Sequence, residues 1–448
     1  MAEEFKDKQG KCEQAKSLKA MLTLATTALL GGVTNEAEAT ESKLLEDWQF
    51  DSAFLYYSEA DRVTAAELII SGTKVFKNDE VLNLKATIDT LSGASANGAV
   101  AQPDIQTFTR PSGQGQYSIQ ANNTPLDDTF KDTRVQLNAQ WTQPIAQDYT
   151  YSIGGHLSKE FDYLSLGFNN SLAIDFNKKN TTLALGFSYF YDVWSPIGGL
   201  PKPLASMLIG DSDDPQWDEE FAKTRMGSSD SKTTADFLLG FTQIINRRML
   251  VQFNYSLSHV DGYLTDPFKI VSQVNTEGYV QDYRYEHRPD KRVKQTVYGQ
   301  TKYHFDSAIV DFSYRYLWDD WQITSHTVDT RLYIPIAENT YIQPRFRFYQ
   351  QGAADFYQPY LMQQDLLPEY VSADYRIGEM TATTLGIKLG IKLSHANTNT
   401  GYANELAFRL EYYQQTPTNP GFNQPGVLAI QNIFPKVEAI LAQVSYSF

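Results

Sequence analysis

Apolar and polar residues alternate along most of this chain with a period of two. In Thr181–Tyr191, Leu183, Leu185, Phe187, Tyr189 and Tyr191 oppose Ala184, Gly186 and Ser188. In Leu385–Leu393, Leu385, Ile387, Leu389, Ile391 and Leu393 oppose Gly386, Lys388, Gly390 and Lys392. Val251, Phe253, Tyr255 and Leu257 oppose Gln252, Asn254, Ser256 and Ser258. Val310, Phe312, Tyr314 and Tyr316 oppose Asp311, Ser313 and Arg315, and Ile342, Phe346 and Phe348 oppose Arg345 and Arg347. Successive side chains of an extended strand point to opposite faces, so each run reads as a strand with one apolar and one polar face.

The pattern predicts about sixteen such strands, near 45–58, 63–77, 80–92, 132–145, 148–160, 162–177, 180–194, 232–245, 248–262, 293–306, 307–321, 322–336, 339–352, 377–393, 403–416 and 436–448. Each has the length that a tilted strand needs to cross a bilayer. The connections sort by parity. Those after even strands are short, such as Asn78-Asp79, Lys178-Lys179 and Asn246-Arg247, whereas 93–131, 195–231, 263–292, 353–376 and 417–435 all follow odd strands. Short periplasmic turns and long extracellular loops produce that sorting in an antiparallel up-and-down β-barrel spanning the outer membrane; a soluble sandwich does not. The last strand has Ile440, Ala442, Val444, Tyr446 and Phe448 on one side and Leu441, Gln443, Ser445 and Ser447 on the other. An alternating strand with a terminal aromatic residue resembles the closing signal of bacterial outer-membrane barrels. It makes the barrel assembly machinery an expected partner, alongside outer-membrane lipid and lipopolysaccharide.

Composition changes the picture in two places. The mean hydropathy of −0.40 over 448 residues excludes a helical membrane protein and suits a barrel, whose strands are half polar. The net charge of −15 argues against nucleic acid as a partner. Near the start, Lys11, Lys16 and Lys19 precede the apolar run Ala20–Leu30, and Ala37-Glu38-Ala39 follows. This reads as a signal peptide over 1–39, leaving one barrel domain over 40–448. Cys12, the single cysteine, would leave with it, which removes thiolate chemistry.

Charge on the lipid face at the midplane costs roughly 2–4 kcal/mol for Arg or Lys. Strand parity therefore assigns Lys85, Asp89, Asp311, Arg315, Asp329, Arg331, Arg345, Arg347, Lys388, Lys392, Glu405, Arg409 and Glu411 to the lumen. Such residues either set a transverse field that selects polar solutes or brace the wall as ion pairs. Loop 93–131, rich in Gly, Ser and Asn, is expected to be solvated or to fold inward. Asp211–Glu220 reads as an external acidic run, without the spacing of a calcium loop. Trp141, Trp194, Trp318 and Trp321 fall near strand ends, as an interfacial belt requires. The six histidines are scattered singly, and His259 and His326 are expected near the outer rim as neighbours of Asp261 and Asp329. Nothing in the pattern calls for a catalytic centre, a metal or a cofactor.

Longer runs carry a resemblance. They are Tyr56–Val63, Asp89–Ala99, Gln106–Gly113, Pro125-Leu126-Asp127 with Phe130–Arg134, Gly262–Lys269, Tyr314–Trp321 and Gln350–Tyr357. Together they resemble the uncharacterised proteobacterial outer-membrane family known as domain of unknown function thirty-five seventy. The resemblance covers nearly the whole chain after the leader and implies an outer-membrane barrel. It also implies a link to extracytoplasmic redox work, through a small lipoprotein or thioredoxin-like or flavin-attaching proteins. Two functions follow: passage of a small polar solute, or a non-conducting barrel that holds such a redox partner.

Overall fold

The computed structural model describes residues 48–396, 403–419 and 421–448; the expected leader, Cys12 and the middle of the 394–402 turn lie outside them. In chain order the strands are β1 (Trp48–Glu59), β2 (Val63–Val75), β3 (Val81–Ala96), β4 (Gln106–Thr109), β5 (Gln116–Ile119), β6 (Leu126–Ala146), β7 (Tyr149–Lys159), β8 (Tyr163–Phe176), β9 (Thr181–Trp194) and β10 (Leu200–Pro201). A short helix, α1 (Trp217–Lys223), precedes β11 (Arg225–Gly227), β12 (Asp230–Asn246), β13 (Met249–Gly262), β14 (Ile270–Val274), β15 (Val280–Tyr285) and β16 (Lys291–His304). Then come β17 (Ile309–Asp319), β18 (Thr324–Ala337), β19 (Thr340–Gln351), β20 (Tyr360–Met362), β21 (Met380–Ala396), β22 (Ala403–Pro417) and β23 (Val437–Ser447).

Sixteen of these close a barrel in the order β1-β2-β3-β6-β7-β8-β9-β12-β13-β16-β17-β18-β19-β21-β22-β23, each antiparallel to its neighbour. β23 pairs back onto β1 from Glu59↔Ala439 to Asp51↔Ser447, so no edge is left open. The alternation read from the sequence decides which face is which. Leu385, Ile387, Val135 and Leu137 lie on the outer face and are 55%, 48%, 44% and 48% exposed. Their neighbours Gly386, Arg134 and Gln136 point inward and are less exposed. A closed, edgeless wall that is apolar outside and polar inside satisfies every backbone group within a bilayer, and the protein is an outer-membrane β-barrel. Among the described residues no helix is long and apolar enough to cross a membrane.

Two positions show how the wall is fitted together. The register slips between Pro144 and Ala146 and again between Pro335 and Ala337, next to short turns. There a missing N–H and an extra residue disturb the fewest ladder bonds. On the inner face, the Tyr341 ring lies over Gly390, where a Cβ would collide with it. The same tyrosine donates its hydroxyl to Glu405 at 2.7 Å.

The connections at one end are short, at 76–80, 147–148, 177–180, 247–248, 305–308 and 338–339. At the other end the five long loops fold together into a lid. β14 is buried along its whole length, paired antiparallel with β15 and parallel with β20. The backbone of 204–207 extends this sheet through Met207 N–H to Tyr283 O (2.7 Å) and Tyr285 N–H to Ala205 O (3.0 Å). Loop 97–125 and the 426–430 turn pack onto it through Val100, Val274, Tyr360 and Leu428 and through Ala99, Phe108, Ile270, Tyr283 and Tyr285. Phe108 and Leu428 are fully buried.

This lid corrects two expectations and adds a buried tryptophan to a third. Loop 93–131 is only partly solvated: Ala99, Val100, Ala101 and Phe108 are core, whereas Ile105 is 62% exposed. The acidic residues of Asp211–Glu220 are exposed, while Trp217 at the start of α1 is buried and donates Nε1–H to Gly113 O at 2.6 Å. Trp194 and Trp321 are not belt residues. Trp194 lies on the inner face against Tyr263 and Phe268 of the lid, and Trp321 packs on Phe356 in a buried cluster.

Candidate functional site

The lumen and the underside of the lid hold the polar side chains that can act. Following the register around the wall, Asp311 faces Arg331, Arg331 faces Arg345, Arg345 faces Gly386 and Gly386 faces Glu411. Asp329 faces Arg347, Lys388 faces Arg409, Lys392 faces Glu405, and Arg315 faces Thr327. The same parity passes through Leu441, Tyr57 and Ala65 to Leu91, which places Asp89 and Lys85 on this face. All the residues assigned to the lumen thus share one inner surface. In the closing strand, Ile440, Val444 and Tyr446 alternate with these and point outward. The backbone of Phe448 exchanges bonds with Phe50 at 2.8 and 2.9 Å, and its ring stacks on Phe50 and Tyr446.

The register also sorts the charge by sector. From β16 to β22 the inner face carries Arg292, Lys294, Lys302, Arg315, Arg331, Arg345, Arg347, Lys388, Lys392 and Arg409. Against these stand Asp311, Asp319, Asp329, Glu405 and Glu411. From β1 to β12 it carries Asp51, Glu59, Glu67, Asp89, Asp132, Asp175, Asp192, Asp230 and Asp236, with only Lys85, Arg134 and Lys232. One wall is therefore basic and the opposite wall acidic. The interior keeps space between them: Leu238, on the inner face between Gly186 and Ser256, is 43% exposed, and Arg315 is exposed.

Within the basic wall, one bracket is tight. Arg345 gives two bonds to Asp329 (3.0 and 2.6 Å) and reaches over Gly386 to Glu411 (3.1 Å). Gly386 permits that reach, since a Cβ there would lie 2.7 Å from Glu411 Cγ. Lys388 pairs with Glu405 at 3.0 Å. On the acidic wall Arg134 binds Asp89 at 2.8 Å.

The lid touches the wall around the ring. Arg62 lies over the Tyr375 ring at 5.7 Å, Gln351 donates to Arg376 O and Gly378 O, and Arg292 covers Trp321 at 4.4 Å. At its heart is a buried ionic cage. Arg288 is held between Glu286 (2.6 Å) and Asp374 (2.9 Å), Asp374 also binds Arg376 (2.7 Å), and Arg376 reaches Asp266 (2.8 Å). Burial pushes the Glu286 carboxyl up, with Arg288 opposing it in part. Burial also pushes Asp374 up, but Arg376 and Arg288 outweigh it and hold this carboxyl well below the usual range. Sequence parity did not find the cage. Its trace is the alternation Glu286-His287-Arg288 and Asp374-Tyr375-Arg376, charges of opposite sign two residues apart in otherwise aromatic loops.

At the outer rim, Asp132, Glu160 and Asp162 converge, with ligand-type oxygens within 4.8 Å of one another. Burial pushes the Glu160 carboxyl up to about 7, and Asp132 adds to the shift. A carboxyl raised above its unfolded value stabilises the fold below pH ~4.5, and that contribution is lost as pH rises through about 7. The temperature at which the folded, SDS-resistant band disappears should therefore fall between pH 5 and pH 8. Glu160→Gln should flatten that fall; an unchanged slope would place its source elsewhere.

Among the described residues the histidines do not assemble a catalytic group. His326 lies on the outer face, bonded to Tyr314 hydroxyl at 2.7 Å, while Asp329 points inward. His259 is likewise on the outer face, and His156 is on the inner face with Asn138 at 2.8 Å.

A family described as Protein of unknown function (DUF3570) matches residues 19–448. No curated protein matches the chain. Among solved structures, it is similar to the siderophore receptor PirA from Acinetobacter baumannii, at 8% identity and a TM-score of 0.40 over 84% of this chain and 56% of that one. The chain thus spans little more than half the length of that receptor. It is also similar to a bacterial polysaccharide outer membrane secretin (9%, 0.42, 90% and 98% covered). A third is OccK2 (OpdF) of Pseudomonas aeruginosa, solved in complex with glucuronate (7%, 0.39, 90% and 97%).

Proposed function

The chain belongs to the DUF3570 family of proteins of unknown function, and we propose that it is a lidded conduit for small polar solutes across the outer membrane. The observation that carries this reading is the sorting of charge into a basic wall over β16–β22 and an acidic wall over β1–β12. A wall built only for bracing has no need to segregate its charges, because local pairs suffice. Opposed walls produce a field across the lumen, and a polar solute that aligns its dipole or charges with that field recovers part of its lost hydration.

A second reading keeps its own support. The lid is a packed layer with four buried clusters and an ionic cage, in keeping with a barrel that is closed at rest and displays a surface to a partner such as a lipoprotein or a thioredoxin-like protein. Recording from the purified chain in a planar bilayer separates the two. Stepwise conductance, with an ion selectivity that shifts when Arg347 is replaced by Ala, is the expected result. A folded barrel that stays silent at all voltages would overturn the conduit and leave the scaffold.

A further inference from the structure

The carboxylates of the basic wall are already engaged. Arg292 holds Asp319 through two bonds of 2.8 and 2.5 Å. Arg345 and Arg331 hold Asp329 at 2.6 and 3.2 Å, and Arg345 also takes Glu411. Lys388 holds Glu405 at 3.0 Å, and Gln300 donates to Asp311 at 2.6 Å. Five cations are left over among the described residues: Lys302 and Lys392, toward the short-turn end, and Lys294, Arg315 and Arg347, which run from there to the lid. Lys294 stands opposite Asp319 in register and Arg347 opposite Asp329, but both carboxylates point to other partners. Arg315 stands between Tyr298 and Thr327, with its guanidinium 5.7 Å from the Tyr298 ring. Among the described residues none of the three has a carboxylate partner.

Their positions form a descending series. Lys294 is level with Asp319, under the lid. Arg315 lies four residues further along β17, and Arg347 is level with Ser313, two further still through Asp329. At roughly 3.4 Å per residue, the series covers about 20 Å of wall. We propose that Lys294, Arg315 and Arg347 form an anion track, with a small solute bearing carboxylate or phosphate groups as its ligand. Guanidinium groups offer paired donors that match the oxygens of either group, and with no carboxylate beside it each step is open to pair with an anion. The aromatic face beside Arg315 gives the middle step an apolar edge for the carbon skeleton of such a solute. This deepens the conduit reading by naming the class of solute, and it rests on that reading only for the direction of travel, not for binding.

The test is calorimetric titration of the full chain in detergent micelles with citrate and with inorganic phosphate, and with choline as the cationic control. Citrate is expected to bind and choline not to. Replacing all three with glutamine (Lys294→Gln, Arg315→Gln, Arg347→Gln) should weaken citrate at least about tenfold, while Arg315→Lys with Arg347→Lys should weaken it less, because the charge stays and only the paired donors are lost. Citrate binding that is absent, matched by choline, or unchanged in the triple glutamine variant would overturn the track. Binding of phosphate as well as citrate extends the track to both anion chemistries; citrate alone restricts it to carboxylates. A silent barrel that still binds citrate removes the conduit and keeps the track. A conducting barrel indifferent to citrate does the reverse.

Discussion

Arg288→Leu is expected to release the lid while the barrel stays folded. Arg288 is 8% exposed, between Glu286 and Asp374 at 1% each. Removing it leaves the Glu286 carboxylate without a counter-ion in a site that excludes water, while Asp374 keeps Arg376. Breaking a buried pair in this way costs about 3–5 kcal/mol, more than the local stability of most surface loops. The damage should stay local, because sixteen strands and their ladder bonds do not depend on the cage. The expected result is rapid tryptic cleavage after Lys269 and Arg284, which the wild-type lid protects, with the SDS-resistant barrel band retained. The variant should also be more protected at pH 5 than at pH 8. Burial already raises the Glu286 carboxyl, so protonation relieves the stranded charge, and that relief is lost as pH rises. Cleavage as slow as in the wild type would show that the apolar clusters alone hold the lid. In a planar bilayer, the same variant should open more often if the lid is the gate.

The second large effect separates two neighbouring arginines that look equivalent in the sequence. Arg345→Ala is expected to destabilise the barrel by about 2–3 kcal/mol, and Arg347→Ala to leave it nearly unchanged. Arg345 binds Asp329 and Glu411, whose side chains are 14% and 7% exposed, so its loss leaves two poorly hydrated carboxylates. The figure is below that for a fully buried pair because Arg345 itself keeps 17% exposure to lumen water. Arg347 has no carboxylate partner among the described residues and belongs to the anion track. Urea unfolding in lipid vesicles reads the first effect, and citrate affinity reads the second. Equal destabilisation by the two substitutions would mean that the bracket over Gly386 contributes nothing specific.

Much of the wall was legible in the chain, and the reason is geometric. A period of two is a local property, so Leu385-Gly386-Ile387-Lys388 declares its outer and inner faces without knowledge of its neighbours. The sixteen strands fall within a few residues of their expected spans, except that β3 and β6 run on to Ala96 and back to Leu126. The lid was not legible, because its contacts join loops far apart in the chain. The parallel pairing of β14 with β20 and the meeting of Val100 with Leu428 have no local signature. Trp194 and Trp321 were misplaced for the same reason. Tryptophan at a strand end usually marks the membrane interface, but here the lid supplies Tyr263, Phe268 and Phe356 as partners. The charged lumen lies between these cases. Parity put Arg345 and Arg347 on the inner face together, but only the register shows that one is bracketed and the other has no counter-charge.

The reach of the lid across the chain has a consequence for the order of events during folding. Gln431 donates to Asn122 at 2.8 Å, and Val427 N–H to Glu277 O at 2.9 Å, joining the loop before the final strand to loops from the first and middle thirds. These ends come within reach only when β23 has met β1. Contacts of such sequence separation form late and slowly. Ordering of the extracellular surface therefore reports that the circle is complete: a chain halted before its last strand would present loose loops, open to proteases, in place of a finished face.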